Sequence, residues 1–432
     1  MLLGKSVAKV KQINLKYKHR KIIGNFSLSG SKSVSNRLLV IRALAESKVQ
    51  FGNLSTSADS QLLKSYLKLI TVCASSAIPM VIDAKNAGTV FRFLAAYLAI
   101  NEGVWLLTGN KRMKERPIEG LTLALDNLGV EITYAGKNNF APLRIVGSDI
   151  DGGSVEVDPS ASSQFVSALM LIAPYLEKGL QIQMKKKPVS FSYILMTQKL
   201  MQEFGAKVQV QKNKVVVESG EYQMKTYQIE PDWSSTSYFY EMAALSENAD
   251  IFLSGFSSDS VQGDRVAVEV FEQLGVITSF ENNGIRLKSG AHSTSSFSYD
   301  FSSCPDLVPA VLASCAGKGI HAVLKGVGHL KYKESDRIAS MQAELFKTGT
   351  ILKRKANSVE LIPSEIDLSK SHCVFDTCGD HRIAMSLAPL VLKLASVKIN
   401  NPEVVKKSYP LFWDDMERLG IKKEEIELTT DN

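Results

Sequence analysis

The chain has 432 residues, of which 45% are hydrophobic and 22% are charged, as is typical of a soluble globular protein with two or more domains. Its formal charge of +7 favours anionic partners, and no apolar run is long enough to span a membrane. Five cysteines without a CxxC pair favour reduced thiols over a disulfide framework, and the N-terminal stretch lacks the core of a signal peptide. We therefore expect a cytoplasmic protein without a membrane partner.

The first elements predicted along the chain are a strand, a polar turn and a helix. Residues 23–28 can form the strand, and the apolar residues that follow from Val34 have helical spacing. Lys32, Ser33 and Arg37 lie at the start of this helix, where unpaired backbone amides and the helix dipole attract negative charge. The stretch therefore predicts an anion site with phosphate as the favoured ligand, and the alternative is a capped helix with solvated charges.

The same kind of stretch, a strand end followed by a polar turn and an apolar helix, occurs six times. The turns begin at or near Gly30, Asp83, Asp158, Glu230, Asp300 and Asp376. They are roughly 55 to 75 residues apart, which is too long for a solenoid repeat and indicates small α/β units. Three units up to about residue 231 and three beyond it predict two lobes of like construction. The unit that includes residues 59–84 is short, which predicts the loss of one or two strands.

Further helical patterns lie between these turns, and each ends in glycine, the usual residue of a left-handed helix cap. They occupy residues 121–129, 196–205, 266–275, 338–349 and 411–420. These patterns predict a second helix in five of the six units.

Two local clusters have alternative interpretations. The basic run at residues 16–21 is typical of a solvated loop, because no aromatic residues interleave with it as a nucleic-acid-binding surface would require. His372, Cys373, Cys378 and His381 suggest a metal cluster, but Cys373 lies in an apolar strand pattern where a buried thiol is the ordinary case. We expect neither a nucleic-acid partner nor a metal site.

Cationic side chains recur at the turn-to-helix junctions of both predicted lobes. The junctions beyond the first contribute Arg116, Lys333, Arg337, Arg382 and Lys407. Two facing lobes would bring them into one cleft, which would bind substrates that carry several negative charges. Asp306 and Glu334 lie among these cations and are the candidate acid–base groups. Neighbouring cations lower a carboxylate pKa and burial raises it, and the sequence leaves this balance open.

These stretches closely resemble the 5-enolpyruvylshikimate-3-phosphate synthase family, from about residue 24 to residue 407. The motifs that carry the resemblance are GSKSVSNR at 30–37, NAGT at 86–89, RMKERPI at 112–118, SSQ at 162–164, KESDR at 333–337 and DHR at 380–382. The resemblance implies an α/β fold of two lobes, each with three βαβαββ units in pseudo-threefold symmetry. The first lobe would contain residues 1–29 and 232–432, the second residues 30–231, and the active site would lie in the cleft between them.

The reaction implied by the resemblance transfers the enolpyruvyl group of phosphoenolpyruvate to the 5-hydroxyl of shikimate 3-phosphate. It proceeds by addition and elimination through a tetrahedral intermediate, releases phosphate and serves aromatic amino acid biosynthesis. The resemblance implies no metal or organic cofactor and inhibition by glyphosate at the phosphoenolpyruvate position. We expect these two small anionic substrates as partners and a monomeric protein.

The resemblance also implies site residues, position by position. Those for shikimate 3-phosphate are Lys32, Ser33, Arg37, Ser162, Ser163, Gln164, Ser190, Tyr193, Asp306, His329 and Lys333. Those for phosphoenolpyruvate are Lys32, Gly88, Arg116, Gln164, Arg337, Arg382 and Lys407. Asp306 would take the proton from the 5-hydroxyl and Glu334 would deliver one to the methylene carbon, while Lys32 would contact both substrates.

Three positions depart from the family pattern, with His329 where Asn is frequent, Phe93 where Pro is common and Glu403 where Lys is frequent. One rival function is that of the sister enolpyruvyl transferase that acts on a UDP-amino sugar. That enzyme would lack the Lys-Ser and SSQ phosphate motifs and usually has a Cys in the loop near Arg116, where this chain has none. The other rival, a non-catalytic anion- or nucleic-acid-binding protein, is disfavoured because the carboxylate of Asp306 would repel phosphates.

Overall fold

The computed structural model describes residues 10–18, 21–71, 79–290 and 294–428, so that Cys73 and residues 19 and 20 of the basic run lie outside the description. Within these ranges the first half of the strands are β1 (Val10–Lys16), β2 (Lys21–Ser27), β3 (Met80–Asp83), β4 (Gly103–Thr108), β5 (Glu131–Tyr134), β6 (Leu143–Gly147), β7 (Gly153–Val157), β8 (Leu180–Met184), β9 (Val208–Val210) and β10 (Lys214–Val217). The remaining strands are β11 (Asn248–Ser254), β12 (Val276–Glu281), β13 (Gly284–Ser289), β14 (Ser296–Asp300), β15 (His321–Lys325), β16 (Ile351–Arg354), β17 (Ser358–Ile362), β18 (His372–Phe375), β19 (Ser396–Asn400) and β20 (Lys422–Leu428).

The α-helices of the described residues alternate with these strands. They are α1 (Lys32–Leu44), α2 (Ala58–Ile70), α3 (Gly88–Ala99), α4 (Glu119–Asn127), α5 (Gln164–Ile172), α6 (Phe191–Glu203), α7 (Trp233–Leu245), α8 (Ala267–Glu272), α9 (Val308–Lys318), α10 (Arg337–Phe346), α11 (His381–Leu387) and α12 (Phe412–Arg418). The glycines that follow α4, α6, α8, α10 and α12 all have positive φ, which confirms the five predicted helix caps.

The strands form five sheets of four strands each. The sheet orders are β18-β19-β1-β20, β12-β13-β11-β2, β14-β15-β17-β16, β3-β4-β6-β5 and β7-β8-β10-β9. Each sheet contains one parallel pair and two antiparallel pairs of strands. A parallel pair needs a crossover connection, and a buried helix such as α3, α5 or α9 supplies it. The predicted mixed α/β class is therefore confirmed.

The unit that contains α1 and α2 has no sheet in the described ranges. Its β pairing there consists of two isolated bridges, Gly30 with Pro231 and Gly52 with Gln228. The predicted shortening near residues 59–84 agrees with the described part of this unit. The sequence predicted the loss of one or two strands, whereas no described strand of this unit belongs to a sheet.

Buried hydrophobic side chains form two separate clusters. The terminal core contains residues from 13–28 and 233–421, and the central core contains residues from 34–229. The chain crosses between them twice, and the two crossings pair with each other, since Ser31 N donates to Glu230 O at 2.9 Å. The chain therefore passes between the two cores through one hydrogen-bonded pair of backbone segments.

The most buried helices lie inside these cores. Every residue of α7 is buried, and α3, α5, α9 and α11 are buried over almost their whole length. A helix that is buried on all sides needs cover all round, and the sheets and neighbouring helices provide it. None of the described helices has both the length and the hydropathy to cross a bilayer. The polar turns that precede these helices come together between the two cores.

Candidate active site

One cavity between the two cores gathers turn residues from both sides, and its volume is about 60 Å³. The lining residues that the sequence predicted are Lys32, Ser33, Arg116, Ser162, Ser163, Gln164, Ser190, Tyr193, Asp306, His329, Lys333, Glu334, Arg337 and Arg382. Three other predicted site residues, Arg37, Gly88 and Lys407, are not part of the lining. The lining also includes Asp59 and His381, to which the sequence analysis assigned no role in the site.

The lining side chains come mainly from the first turns of helices in both cores. Lys32 and Ser33 begin α1, Gln164 begins α5, Arg337 begins α10 and Arg382 lies in the first turn of α11. Amides at a helix start have no partner within the helix, and the helix dipole places partial positive charge there. The backbone therefore favours anions in this cavity even before the cationic side chains are considered.

Arg337 is the centre of the ion-pair network. Its Nη1 lies 2.7 Å from Asp306 Oδ1, its Nη2 2.8 Å from Glu334 Oε2 and its Nε 2.9 Å from Asp380 Oδ2. Burial alone would lower the pKa of Arg337, but the three carboxylates outweigh it and raise the pKa above its ordinary value. The charged, planar guanidinium thus fixes Asp306 and Glu334 on two different nitrogens.

The Asp306 carboxylate has partners from both cores. Its Oδ1 pairs with Arg337, while its Oδ2 lies 2.7 Å from Arg382 Nη2 and accepts a hydrogen bond from Tyr193 Oη at 3.1 Å. Burial would raise the pKa of Asp306, but Arg382, Lys333 and Arg337 together hold it well below its usual range. Asp306 is therefore ionised in this arrangement.

The Glu334 carboxylate is held in the same way. Its Oε2 pairs with Arg337, and its Oε1 lies 3.7 Å from Nη1 of Arg116, which belongs to the central core. Burial would raise the pKa of Glu334, but Arg116, Arg337 and Lys407 hold it well below its usual range. The balance that the sequence left open therefore favours ionisation of both candidate acid–base groups.

A second ion-pair cluster is centred on Asp59. Its carboxylate lies 3.3 Å from Lys32 Nζ and 2.8 Å from Lys407 Nζ, and Lys407 also donates to Asn86 O at 3.0 Å. Lys407 thus reaches from the terminal side to the central side while remaining outside the cavity lining. Asp59 lies in the first turn of α2, directly after a Ser-rich turn, and this position was the available sequence signal. The sequence analysis interpreted the segment at residues 59–84 only as shortened and did not predict Asp59 as a site residue.

Arg37, which the sequence predicted as a substrate-binding residue, lies behind the residues that line the cavity. Its guanidinium donates to Thr197 Oγ1 at 2.7 Å, to Ser33 O at 2.9 Å and to Tyr193 O at 3.2 Å. The Phe93 ring lies 5.4 Å from the guanidinium carbon. Burial lowers the pKa of Arg37 to about 10. Because all these contacts are internal, Arg37 fixes the backbone of two lining residues, Ser33 and Tyr193.

Gly88, at the start of α3, lies against two guanidinium groups. A methyl group at this position would come within 2.8 Å of Arg116 Cζ and would also crowd Arg92. Arg92, one turn further along α3, donates to Gln164 Oε1 at 3.0 Å, and Gln164 Nε2 donates to Thr89 Oγ1 at 2.8 Å. Gly88 does not line the cavity itself. It leaves room for the guanidinium groups of Arg92 and Arg116 beside the cavity.

His329 and Lys333 add a neutral and a weakly basic group to the terminal side of the cavity. Burial, followed by repulsion from Lys333, lowers the pKa of His329 to about 3. The ring is therefore neutral, and its Nε2 lies 3.5 Å from Ser190 Oγ of the central side. Burial also lowers the pKa of Lys333 to about 8, although the nearby Asp306 opposes this shift.

His381 is buried beside the same ion pairs. Its ring nitrogens have no hydrogen-bond partner within the described ranges, although Nδ1 lies 3.4 Å from Asp380 Oδ1. Burial and then Lys32 lower the pKa of His381 well below its usual range. His372 instead contacts Ser396 Oγ, 2.8 Å from its Nδ1, on a neighbouring strand. Among the described residues, no three His, Cys, Asp or Glu side chains are grouped closely enough to hold a metal ion.

A larger groove, of about 1280 Å³, lies in the central half near the C-terminal ends of α1, α2 and α3. Its wall includes apolar residues such as Leu67 and Ile100 and charges of both signs such as Lys68 and Glu102. The arginine-bound carboxylates Asp306 and Glu334 are not part of it. Volume alone would favour this groove as the active site, but the chemistry favours the smaller cavity.

The fold and the cavity together define a class of protein: an α/β enzyme that encloses small anionic substrates between arginines and ionised carboxylates. Comparison with known proteins specifies this class further. The chain belongs to the EPSP synthase (3-phosphoshikimate 1-carboxyvinyltransferase) family, whose sequence model matches residues 16–416. The family predicted from the sequence is therefore confirmed.

Relatives and solved structures agree with this assignment. A 3-phosphoshikimate 1-carboxyvinyltransferase of Bacteroides fragilis is 38% identical over 400 residues, which cover 92% of this chain and 96% of the relative. One from Sulfurovum sp. is 32% identical over 422 residues, which cover 93% and 97% of the two chains. The structure of EPSP synthase from Acinetobacter baumannii matches with a TM-score of 0.77 at 22% identity, over 96% of this chain and 100% of that one. The structural match supports the fold, and the two relatives support the family.

Proposed function

We propose that this chain transfers the enolpyruvyl group of phosphoenolpyruvate to the 5-hydroxyl of shikimate 3-phosphate and releases phosphate. Membership of a family named for this activity supports the reaction, which serves aromatic amino acid biosynthesis. The observation that carries the proposal is the pair Asp306 and Glu334, each bound to a different nitrogen of Arg337 in a cation-lined cavity. The reaction needs two proton-transfer groups and several fixed positive charges, and this arrangement supplies both.

We assign the two substrates to different parts of the cavity wall. Shikimate 3-phosphate is assigned to Lys32, Ser33, Ser162, Ser163, Gln164, Ser190, Tyr193, Asp306, His329 and Lys333, with Arg37 supporting Ser33 and Tyr193 from behind. Phosphoenolpyruvate is assigned to Lys32, Arg116, Gln164, Arg337 and Arg382, with Gly88 leaving room for Arg116 and with Lys407 at the edge of the cavity. The helix starts of α1 and α5 support the first assignment, because the helix dipole places partial positive charge there, which favours a phosphate group.

The acid–base steps depend on an exchange of ion-pair partners. Arg337 and Arg382 neutralise Asp306, and the phosphate and carboxylate groups of phosphoenolpyruvate compete for the same guanidinium groups. A buried carboxylate that loses a cationic partner has a higher pKa and accepts a proton more readily. Substrate binding therefore raises the pKa of both carboxylates. Glu334 takes up a proton from solvent as the substrates bind, and Asp306 stays ionised and can accept one.

The proposed reaction then has two stages. In the addition, the 5-hydroxyl oxygen bonds to the substituted carbon of phosphoenolpyruvate, Asp306 takes the hydroxyl proton, and Glu334 delivers a proton to the methylene carbon. In the elimination, Glu334 takes a proton back from the new methyl group as the bond between the substituted carbon and the phosphate oxygen breaks. Asp306 returns its proton to the leaving phosphate, so the double bond and both carboxyl groups are restored. The surrounding cations hold the phosphate and the carboxylate while charge is redistributed.

We also propose that the two cores are the two lobes, one of residues 1–29 and 232–432 and one of residues 30–231. The division of the buried hydrophobic residues supports these limits, and the shared strand order of the five sheets supports repeated units in pseudo-threefold symmetry. The side chains that line the cavity pair with one another across it. Substrates must therefore enter by separation of the lobes about the paired crossings at Ser31 and Glu230.

All assigned residues come from one chain, so a monomer is sufficient for this function, and we propose that state together with a cytoplasmic location. Size-exclusion chromatography with light scattering measures the first directly. A mass near the 47.4 kDa of one chain is expected, and a stable dimer would contradict the proposal.

A phosphate-release assay tests the function. The purified chain is incubated with phosphoenolpyruvate and shikimate 3-phosphate together and with each alone. We expect phosphate only when both substrates are present, because the hydroxyl must add before phosphate can leave. Release from phosphoenolpyruvate alone would indicate a phosphatase, and no release from the pair would contradict the proposed function. The same assay with a UDP-amino sugar in place of shikimate 3-phosphate tests the rival acceptor.

A further inference from the structure

We infer that Arg112 is a positioning residue that fixes the loop carrying Glu334 against the opposite core. Its side chain extends from the central side to backbone carbonyls of the terminal side. Nη2 donates to Lys331 O at 2.8 Å and to Lys333 O at 3.1 Å, and Nε donates to Lys333 O at 3.2 Å. Arg112 does not line the cavity, so this task is separate from substrate contact. The inference rests on the proposed function.

The segment that carries Arg112 is anchored firmly in the central core. Met113, the next residue, is fully buried, and its backbone N donates to Asn110 Oδ1 at 3.0 Å. The backbone N of Asn110 donates in turn to Lys85 O at 2.9 Å. Because these contacts fix the backbone on both sides of Arg112, its guanidinium extends from a rigid base.

The acceptor carbonyls lead directly into Glu334. The carbonyl of Lys333 belongs to the peptide bond that joins it to Glu334, so holding this oxygen sets where the glutamate backbone begins. Arg116, four residues beyond Arg112 on the same segment, contacts the Glu334 carboxylate itself. One short central segment therefore holds both the backbone and the carboxylate of the proposed proton donor.

An arginine suits this task better than a lysine. The planar guanidinium can donate to two carbonyls at fixed angles, whereas an ammonium group on a flexible chain holds them less rigidly. Its Nη1 also donates to Glu115 Oε2 at 3.3 Å, which steadies the side chain from its own segment. The bonds to Lys331 and Lys333 join the two cores, so they exist only while the cores are in contact. Their loss should misplace Glu334, while every side chain assigned to substrate, including that of Lys333, remains present. We therefore expect kcat to change more than either KM.

The test compares Arg112→Ala with the wild type in the phosphate-release assay, and Lys111→Ala is the matched control because Lys111 is an exposed, adjacent cation. For Arg112→Ala we expect kcat to fall about tenfold to a hundredfold, as for lost charge-assisted hydrogen bonds, with each KM within about threefold. Lys111→Ala should keep the wild-type kcat. An unchanged kcat in Arg112→Ala, a rise in KM alone, or an equal loss in the control would overturn the inference.

Two further measurements separate positioning from other roles. Arg112→Lys keeps the charge without the two-carbonyl fork, so its kcat should stay at least about threefold below wild type, and full activity would mean that charge alone suffices. Arg112→Ala should unfold within about 3 °C of the wild type, whereas a structural role would lower both activity and stability. If Arg112→Ala does not fold, Arg112→Lys decides the question. A wild-type chain that releases no phosphate would instead overturn the proposed function.

Discussion

Buried carboxyl groups occur in two charge states in this molecule. Contacts with arginine side chains decide whether a carboxyl group is ionised or neutral. Asp306 and Glu334 each contact arginines, which hold the pKa of both groups well below their usual range even though burial would raise it. Glu241, in the middle of α7, is fully buried, and neither of its carboxylate oxygens has a hydrogen-bond partner within the described ranges. Burial raises the pKa of Glu241 well above its ordinary value, so its side chain is neutral in the fold.

Replacing Glu241 with glutamine should flatten the pH dependence of stability. The folded pKa is raised, so the unfolded chain loses this proton from about pH 4.3 upward while the folded chain keeps it. Each pH unit between the two pKa values therefore removes about 1.4 kcal/mol from the free energy of unfolding in the wild type. Urea titrations at about pH 5 and about pH 8 measure this loss. The exposed Glu269→Gln is the control, and equal pH slopes in wild type and Glu241→Gln would contradict a neutral Glu241.

Gly88→Ala should weaken phosphoenolpyruvate binding. The added methyl group meets the Arg116 guanidinium and displaces it from its place beside Glu334. Overpacking of this kind costs about 1–3 kcal/mol, so KM for phosphoenolpyruvate should rise about fivefold or more, and that for shikimate 3-phosphate should change less. Steady-state kinetics with each substrate varied in turn measure the difference. Gly220→Ala is the control because a methyl group there meets nothing within 4 Å, and equal KM changes for both substrates would refute the steric explanation.

At the scale of elements, the predictions that succeeded depend on local signals. The glycines after α4 and α10 mark helix ends because their positive φ suits few other residues. The polar turns before α1 and α5 were recognised because capping and helix dipole effects depend on neighbouring residues only. The shortened unit beside α2 could be located from chain length. Chain length could not show that the described residues of this unit form no sheet, because sheet pairing depends on residues that are distant in sequence.

The segment that contains Asn53 holds the two crossings between the cores together. Asn53 has a φ of +52°, and its Nδ2 donates to Leu28 O at 3.4 Å and to Ile229 O at 3.2 Å. Asn53→Ala removes both hydrogen bonds and places alanine in a left-handed conformation, so we expect a loss of about 2–3 kcal/mol in stability.

Asn53→Gly is the matched comparison, because glycine accepts the same backbone conformation but lacks the amide. It should lose about 1 kcal/mol, the part that belongs to the hydrogen bonds. Urea denaturation of the three proteins measures both differences. Wild-type stability in Asn53→Ala would mean that this segment does not hold the crossings.

At the scale of the whole molecule, the sequence predicted most of the residues that line the cavity but not how they pair. Asp59 and Lys407 are distant in sequence and meet only because the two cores lie against each other. The burial of Arg37 likewise depends on Thr197, which a different helix supplies. Motif position identifies which side chains approach the cavity, whereas contacts between distant segments decide which of them line it and which support it from behind.

The central claim is that Asp306 and Glu334 transfer the protons of the reaction inside this network, and turnover of two purified variants tests it most directly. Asp306→Asn and Glu334→Gln keep the shape of each side chain but cannot carry the proton. We predict that each variant folds and that kcat falls about 10²–10⁴-fold, the usual contribution of a general acid or base. The wild-type rate is measured in the same phosphate-release assay. Turnover near the wild-type rate in either folded variant would contradict the account.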